Sequence, residues 1–294
     1  MTAETRKGSS RSERAESVLP LAALLRRYDR DRFQTALFAP AERREALLAL
    51  YAFNYEIGRV RETVTEPMLG QIRLQWWREV IAAVFAGEPP RHHLVAVPLT
   101  AAIHGCGLTR AYFDRLIDTR ERDLVDEPPA DLAALQDYAD GTSSPLVQLA
   151  LEVLGVRRPE AQETARQVGI AYALAGLLRA MPFHAGAGRC FIPEEIAGRV
   201  GFDPGDYAAR RGAPAVCAAA REIAEAAIRH LGAARQRRLT IPRAGLAAVL
   251  PAIVAERFLI RLRRAGYDPF VQGLAAPDGW QSWRLVAAAL LNRF

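Results

Sequence analysis

The stretch from Pro159 to Pro193, PEAQETARQVGIAYALAGLLRAMPFHAGAGRCFIP, sets the reading of the whole chain. Alanine, leucine and other good helix formers fill it as far as Arg179, with no β-branched run that would favour a strand. Pro159 suits the first turn of a helix, where its missing N–H leaves nothing unsatisfied. Pro182 is expected to end that helix at Ala180, because a proline ring disfavours helical geometry in the residue before it. Phe183 to Pro193 then reads as a glycine-punctuated loop, followed by a short helix from Glu194 to Arg199.

The same texture extends in both directions. Pro40 opens a helix expected to reach about Thr65. Pro67 opens another, whose stripe Met68, Ile72, Trp76, Val80, Val84 should be buried until Gly87 ends it. Leu108 to Arg122 reads as a helix with Tyr112, Leu116 and Ile117 on one side, and Ala130 to Leu154 as a helix disturbed near Gly141–Pro145. Helices over Pro214–Arg238, Pro242–Arg264 and Trp280–Phe294 complete the series. Val216, Ile223 and Leu231 line one face of the first of these, and Pro251 should kink the second. No strand, repeat or linker is evident, so residues 18–294 read as one all-helical domain of about ten helices. Residues 1–17, polar and mixed in charge, read as a disordered tail without the apolar core of a signal peptide.

Composition excludes several classes. The 294 residues carry 39 basic and 33 acidic side chains, and Lys7 is the only lysine. No apolar run approaches the roughly 18–20 residues that span a bilayer. Cys106, Cys190 and Cys217 form no C-x-x-C, and His92, His93, His104, His184 and His230 form no H-E-x-x-H, so neither a disulfide scaffold nor a zinc site is expected. Nucleophile-elbow and nucleotide-loop signatures are absent. The arginine clusters, such as Arg235, Arg237 and Arg238, come without a DNA- or RNA-binding signature. Several lie in the last turn of a helix, where cations complement the macrodipole, so nucleic acid is not an expected partner. An anionic membrane surface suits them better.

Three distant segments narrow the reading: Leu50–Glu62 (LYAFNYEIGRVRE), Arg73–Glu79 (RLQWWRE), and Gly169–Arg179 running on to Gly188–Pro193. In this order and at this separation they resemble the squalene/phytoene synthase family. The resemblance covers nearly the whole chain from about Leu24, including Gly266-Tyr267-Asp268. It implies the all-α isoprenoid synthase fold and, in typical members, head-to-head joining of two prenyl diphosphates. Their two aspartate motifs stand on facing helices. An Asp-x-x-x-Asp spacing puts two carboxylates on one helical face, and two such faces hold the Mg²⁺ ions that draw away diphosphate.

Here the first motif falls on Gly58 and Glu62, with Arg59 in place of the neighbouring aspartate, and the second on Ala180 and His184. One carboxylate of four remains. Other phosphate contacts implied by the family also change: an arginine position becomes Tyr55, and later positions fall at about Ala255 and Gln272, while Arg179 is retained. Asp137 and Asp140 are nearby carboxylates without motif support. The expectation is therefore no catalytic residue, no metal site and no cofactor.

Arg179-Ala180-Met181-Pro182-Phe183-His184 is similar to the corresponding stretch of a family branch that includes a mitochondrial complex I assembly factor. This likeness implies a non-catalytic helper whose partners are complex I subunits or assembly factors. With no targeting segment in view, it is expected in the bacterial cytoplasm, peripheral to the inner membrane. The alternative is a prenyl-diphosphate- or lipid-binding protein, or a divergent prenyltransferase, which alone would call for Mg²⁺. In that reading Tyr51, Phe53, Tyr55, Trp76, Tyr172 and Phe183 receive the ligand, and Arg59, Arg179 and a protonated His184 hold its diphosphate without metal.

Overall fold

The computed structural model describes residues 20–276 and 279–294, so the tail expected at 1–17 lies outside the described residues. Helix α1 covers residues 20–28, and the Asp29 carboxylate caps α2 (Arg30–Ala36) by accepting from the Arg32 backbone N–H. Pro40 precedes α3 (Ala41–Gly58). This helix ends well before Thr65, because the chain tightens after Arg59 into a 3-10 turn, Val60–Thr63.

Helix α4 (Pro67–Phe85) buries Gly70, Leu74, Trp77, Val80, Ile81 and Val84, while Met68 and Ile72 are exposed. The expected stripe fails at its start for a geometric reason. A strict four-residue repeat advances about 40° per step on a 3.6-residue helix, so Met68 and Val84 end up on different faces. Alternating steps of four and three keep Gly70, Leu74, Trp77, Ile81 and Val84 on one side.

An unexpected helix follows, α5 (Ala96–Cys106), which ends at Gly107 in the left-handed region with φ 61°. Next come α6 (Arg110–Arg120), a 3-10 turn Glu121–Leu124, and α7 (Leu132–Val153), which runs through Pro145 without interruption. Helix α8 (Pro159–Gly186) likewise passes Pro182, correcting the expected stop at Ala180. Met181 and Ala185 are buried on that last turn. Their burial offsets the single backbone hydrogen bond that proline removes.

Short helices α9 (Glu194–Val200) and α10 (Pro204–Ala208) lead to α11 (Pro214–Gln236), with Val216, Ile223 and Leu231 buried as expected. The helix expected from Pro242 is split into α12 (Leu246–Val249) and α13 (Pro251–Arg264), so Pro251 divides it instead of kinking it. Helix α14 (Gln281–Leu291) closes the series.

No strand occurs among the described residues. Helix α8 is the axis of an all-α bundle, with α7, α11 and α13 packed around it. Its length and apolarity would suffice to cross a membrane, yet it lies at the centre of the core. The apolar core is continuous from Leu21 to Phe294. Helices α7 and α8 approach closely because Gly169 carries no side chain: a Cβ there would stand 2.7 Å from the Ser144 backbone nitrogen.

Candidate functional site

Two turns beyond Gly169 the same face of α8 presents Gly176, whose missing Cβ would meet nothing within 4 Å. There the bundle opens into a cavity of about 190 Å³. Asn54, Gly58 and Glu62 reach it from α3 and the following turn, Tyr138 and Ser143 from α7, and Tyr172, Ala180 and His184 from α8. Arg32, Arg120, Asp123, Arg189 and Phe191 complete much of the wall. All the residues aligned with the two aspartate motifs except Arg59 thus share one space.

A dense ionic network fills one side. The Arg120 guanidinium donates to Asp123 Oδ2 at 3.0 Å, and the Tyr138 hydroxyl donates to Asp123 Oδ1 at 2.6 Å. Arg120 also donates to the Tyr138 oxygen at 3.3 Å. Arg189 lies 3.6 Å from Asp123 Oδ1. Both oxygens of Asp123 are therefore committed. Arg120 also covers Gly58, where a Cβ would stand 3.5 Å from its Nη2. A guanidinium thus occupies the place toward which an acid at position 58 would point.

Burial, helped by the Asp123 charge, pushes the Tyr138 hydroxyl pKa up, so it stays protonated and donates. His184 goes the other way. Burial first, then the Arg189 charge, lowers its pKa to about 4, so the imidazole is neutral near pH 7. Beside Arg189, His184 is therefore a neutral imidazole, whereas the sequence reading expected a cation.

The remaining expected ligands lie elsewhere. Arg59 turns back on α3, donating to the Tyr55 hydroxyl at 3.0 Å, and Tyr55 stacks on Tyr28 with ring centroids 5.1 Å apart. Arg179 lines a separate cavity and pairs with Asp31 at 2.7 Å, while Gln281 donates to the same carboxylate. The ion pair ties α8 to α2, and the Gln281 hydrogen bond ties α14 to α2. Tyr51 and Phe53 are buried in the core, and Phe183 is exposed. Trp76 packs edge-on against Trp77 and His93. Of the expected ligand set, only Tyr172 and His184 face the cavity; the Arg32 guanidinium lies 4.8 Å from the Tyr172 ring centroid.

Sequence reading missed Arg32, Arg120, Asp123 and Tyr138. An Arg-x-x-Asp spacing at 120 and 123 was the available signal, but it is common on exposed helices and carries little by itself. The other two carboxylates considered are engaged by arginines: Asp140 is buried between Arg115 and Arg166, and Asp137 pairs with Arg122.

The donor set does not fit Mg²⁺. That ion takes about six oxygen ligands in an octahedron, largely carboxylates, waters and phosphates. Here the cavity offers exposed Glu62 and a fully engaged Asp123, beside three arginines. No group of three His, Cys, Asp or Glu side chains suited to a metal occurs among the described residues. The space contains unpartnered polar atoms instead. Asn54 Oδ1, Arg120 Nε, Ser143 Oγ and His184 Nδ1 are buried without a protein hydrogen-bond partner. Water or a small polar ligand would satisfy them.

Residues 25–285 match the profile of the family described as squalene/phytoene synthase. The human protein named NADH dehydrogenase (ubiquinone) complex I, assembly factor 6, is 32% identical over 268 residues, covering 89% of this chain and 80% of that protein. A presqualene diphosphate synthase of Rhodopseudomonas palustris is 30% identical over 199 residues, covering 66% of this chain and 69% of its own. Among solved structures, squalene synthase HpnC from Alicyclobacillus acidocaldarius superposes with a TM-score of 0.77 at 22% identity, over 88% of this chain and 97% of that one. A dehydrosqualene synthase superposes with a TM-score of 0.82 at 15% identity, over 96% and 98%. The bundle is thus the isoprenoid synthase fold, and the chain belongs to the squalene/phytoene synthase family.

Proposed function

We propose that this protein is a non-catalytic member of its family that assists assembly of respiratory complex I, working from the cytoplasm at the inner membrane of a bacterium. The observation that carries the reading is the cavity wall. Arg120 covers Gly58 and, with Tyr138, takes both oxygens of Asp123, leaving cations where metal-bound diphosphate chemistry needs clustered acids. At about 190 Å³ the space is also smaller than the roughly 300–1,000 Å³ of ordinary small-molecule pockets. The likeness to complex I assembly factor 6 over most of both chains supports the choice of partner.

Complex I levels in a strain lacking the gene test the proposal. Assembled complex on native gels should fall several-fold, and a copy carrying Glu62→Ala should restore it. Normal complex I in the deletion would defeat the assembly role. Mg²⁺-dependent release of pyrophosphate from farnesyl diphosphate would defeat the non-catalytic one.

A second reading rests on the four unpartnered atoms. They suit a small polar or anionic group held by Arg32, Arg120 and Arg189 without metal. Calorimetric titration with inorganic pyrophosphate in the presence of EDTA tests it, and absence of heat at millimolar ligand rejects it.

A further inference from the structure

Helix α14 is apolar on the side that faces away from the protein. Leu285 and Ala288 are buried against the bundle. Trp283, Ala287 and Leu290 follow at spacings of four and three, so they lie one above another on the opposite face. Trp283 is 69% exposed and Leu290 75%, with Trp280 at 68% and Leu291 at 66% on the flank. A surface helix ordinarily turns charge to solvent; a large exposed apolar face marks an interaction surface.

The charge around this face selects the partner. No acidic residue occurs between Gly279 and Phe294, whereas Arg293 is exposed there. Across an adjoining groove of α2 and α14, lined by Leu37 and Val286, stand Arg26 and Arg30. The two acids among residues 20–36 are already engaged, Asp29 by Arg32 and Asp31 by Arg179. An apolar aromatic face bordered by arginines complements an anionic bilayer surface, with tryptophan at the headgroup level and guanidinium on phosphate. A second copy of the chain would bring arginine against arginine, which opposes self-pairing.

We infer that α14, with the neighbouring edge of α1 and α2, is a docking surface for an anionic lipid bilayer. The inference deepens the membrane location proposed above and is independent of the complex I role. Co-sedimentation of the full chain with phosphatidylcholine vesicles, with and without phosphatidylglycerol, tests it. Binding should require phosphatidylglycerol and weaken as salt is raised. A Trp283→Glu/Leu290→Glu variant should bind about tenfold or more weakly. An Arg26→Gln/Arg30→Gln variant should bind the anionic vesicles about tenfold more weakly. All four positions are exposed, and circular dichroism should show unchanged helix content.

Failure of the parent protein to bind vesicles overturns the inference, as does binding that the Trp283/Leu290 variant retains. A concentration-dependent dimer, seen in sedimentation without lipid and lost in that variant, also overturns it in favour of a second copy. Vesicle binding alongside normal complex I in the deletion strain would sustain the lipid surface and reject the assembly role.

Discussion

His184 lines the cavity at a position aligned with a motif aspartate, and its surroundings set its charge. Burial and the neighbouring Arg189 charge hold its pKa at about 4, against 6.5 for a free imidazole; Asp123 opposes this and is outweighed. The unfolded chain therefore takes up a proton between these values when the folded chain does not. Stability is full above about pH 6.5 and falls as pH drops towards 4, by up to about 1.4 kcal/mol per unit. His184→Phe removes that contribution. In urea titrations between pH 4 and 7, the difference in stability between parent and variant should shrink by about 2 kcal/mol or more toward low pH. A constant difference would show that the imidazole titrates normally in the fold.

Helices α7 and α8 carry both the packing and the opening of the cavity, and two glycines on one face of α8 separate these roles. At Gly169 an added methyl meets the Ser144 backbone, which cannot swing aside as a side chain can. Gly169→Ala should cost about 2–3 kcal/mol by overpacking. At Gly176 the methyl enters open space, and Gly176→Ala should raise stability by up to about 1 kcal/mol. Equal effects in thermal unfolding would contradict the geometry.

Neither position was legible as such, because spacing reveals a helical face and not what the face meets. Helical character, and the membership carried by Trp76-Trp77-Arg78 and the Arg179 to Pro193 spacing, were legible. Helix ends at proline were less so: Pro145 and Pro182 stay inside helices held by tertiary burial. Helix α5 went unread behind Pro89-Pro90 and with Pro98 in its first turn. The motif alignment found Gly58, Glu62, Ala180 and His184 around one cavity, since register along α3 and α8 survives substitution. Arg120, Asp123 and Tyr138 escaped because their partnership is made by folding, between α6, a 3-10 turn and α7.

Across the whole molecule, the bundle holds an internal space while its least ordinary exposed surface lies on α14. These two places make opposite demands on a single substitution. Gly176→Leu would put an isobutyl group into the cavity from a point where nothing lies within 4 Å of the new Cβ. It gains helix propensity and apolar contact, but crowds Asn54, Ser143 and His184, whose unpartnered atoms share that space. These opposing effects should leave the fold intact with stability changed by no more than about 2 kcal/mol. A protein that works through its outer surface should then still bind anionic vesicles and restore complex I to the deletion strain. A protein that works through a cavity ligand should keep vesicle binding and lose complementation. Complementation by Gly176→Leu at parental levels is the result expected of the proposed non-catalytic role, in which the outer surface and not the cavity carries the function. A folded, vesicle-binding Gly176→Leu protein that fails to complement would move the function from the outer surface to the cavity.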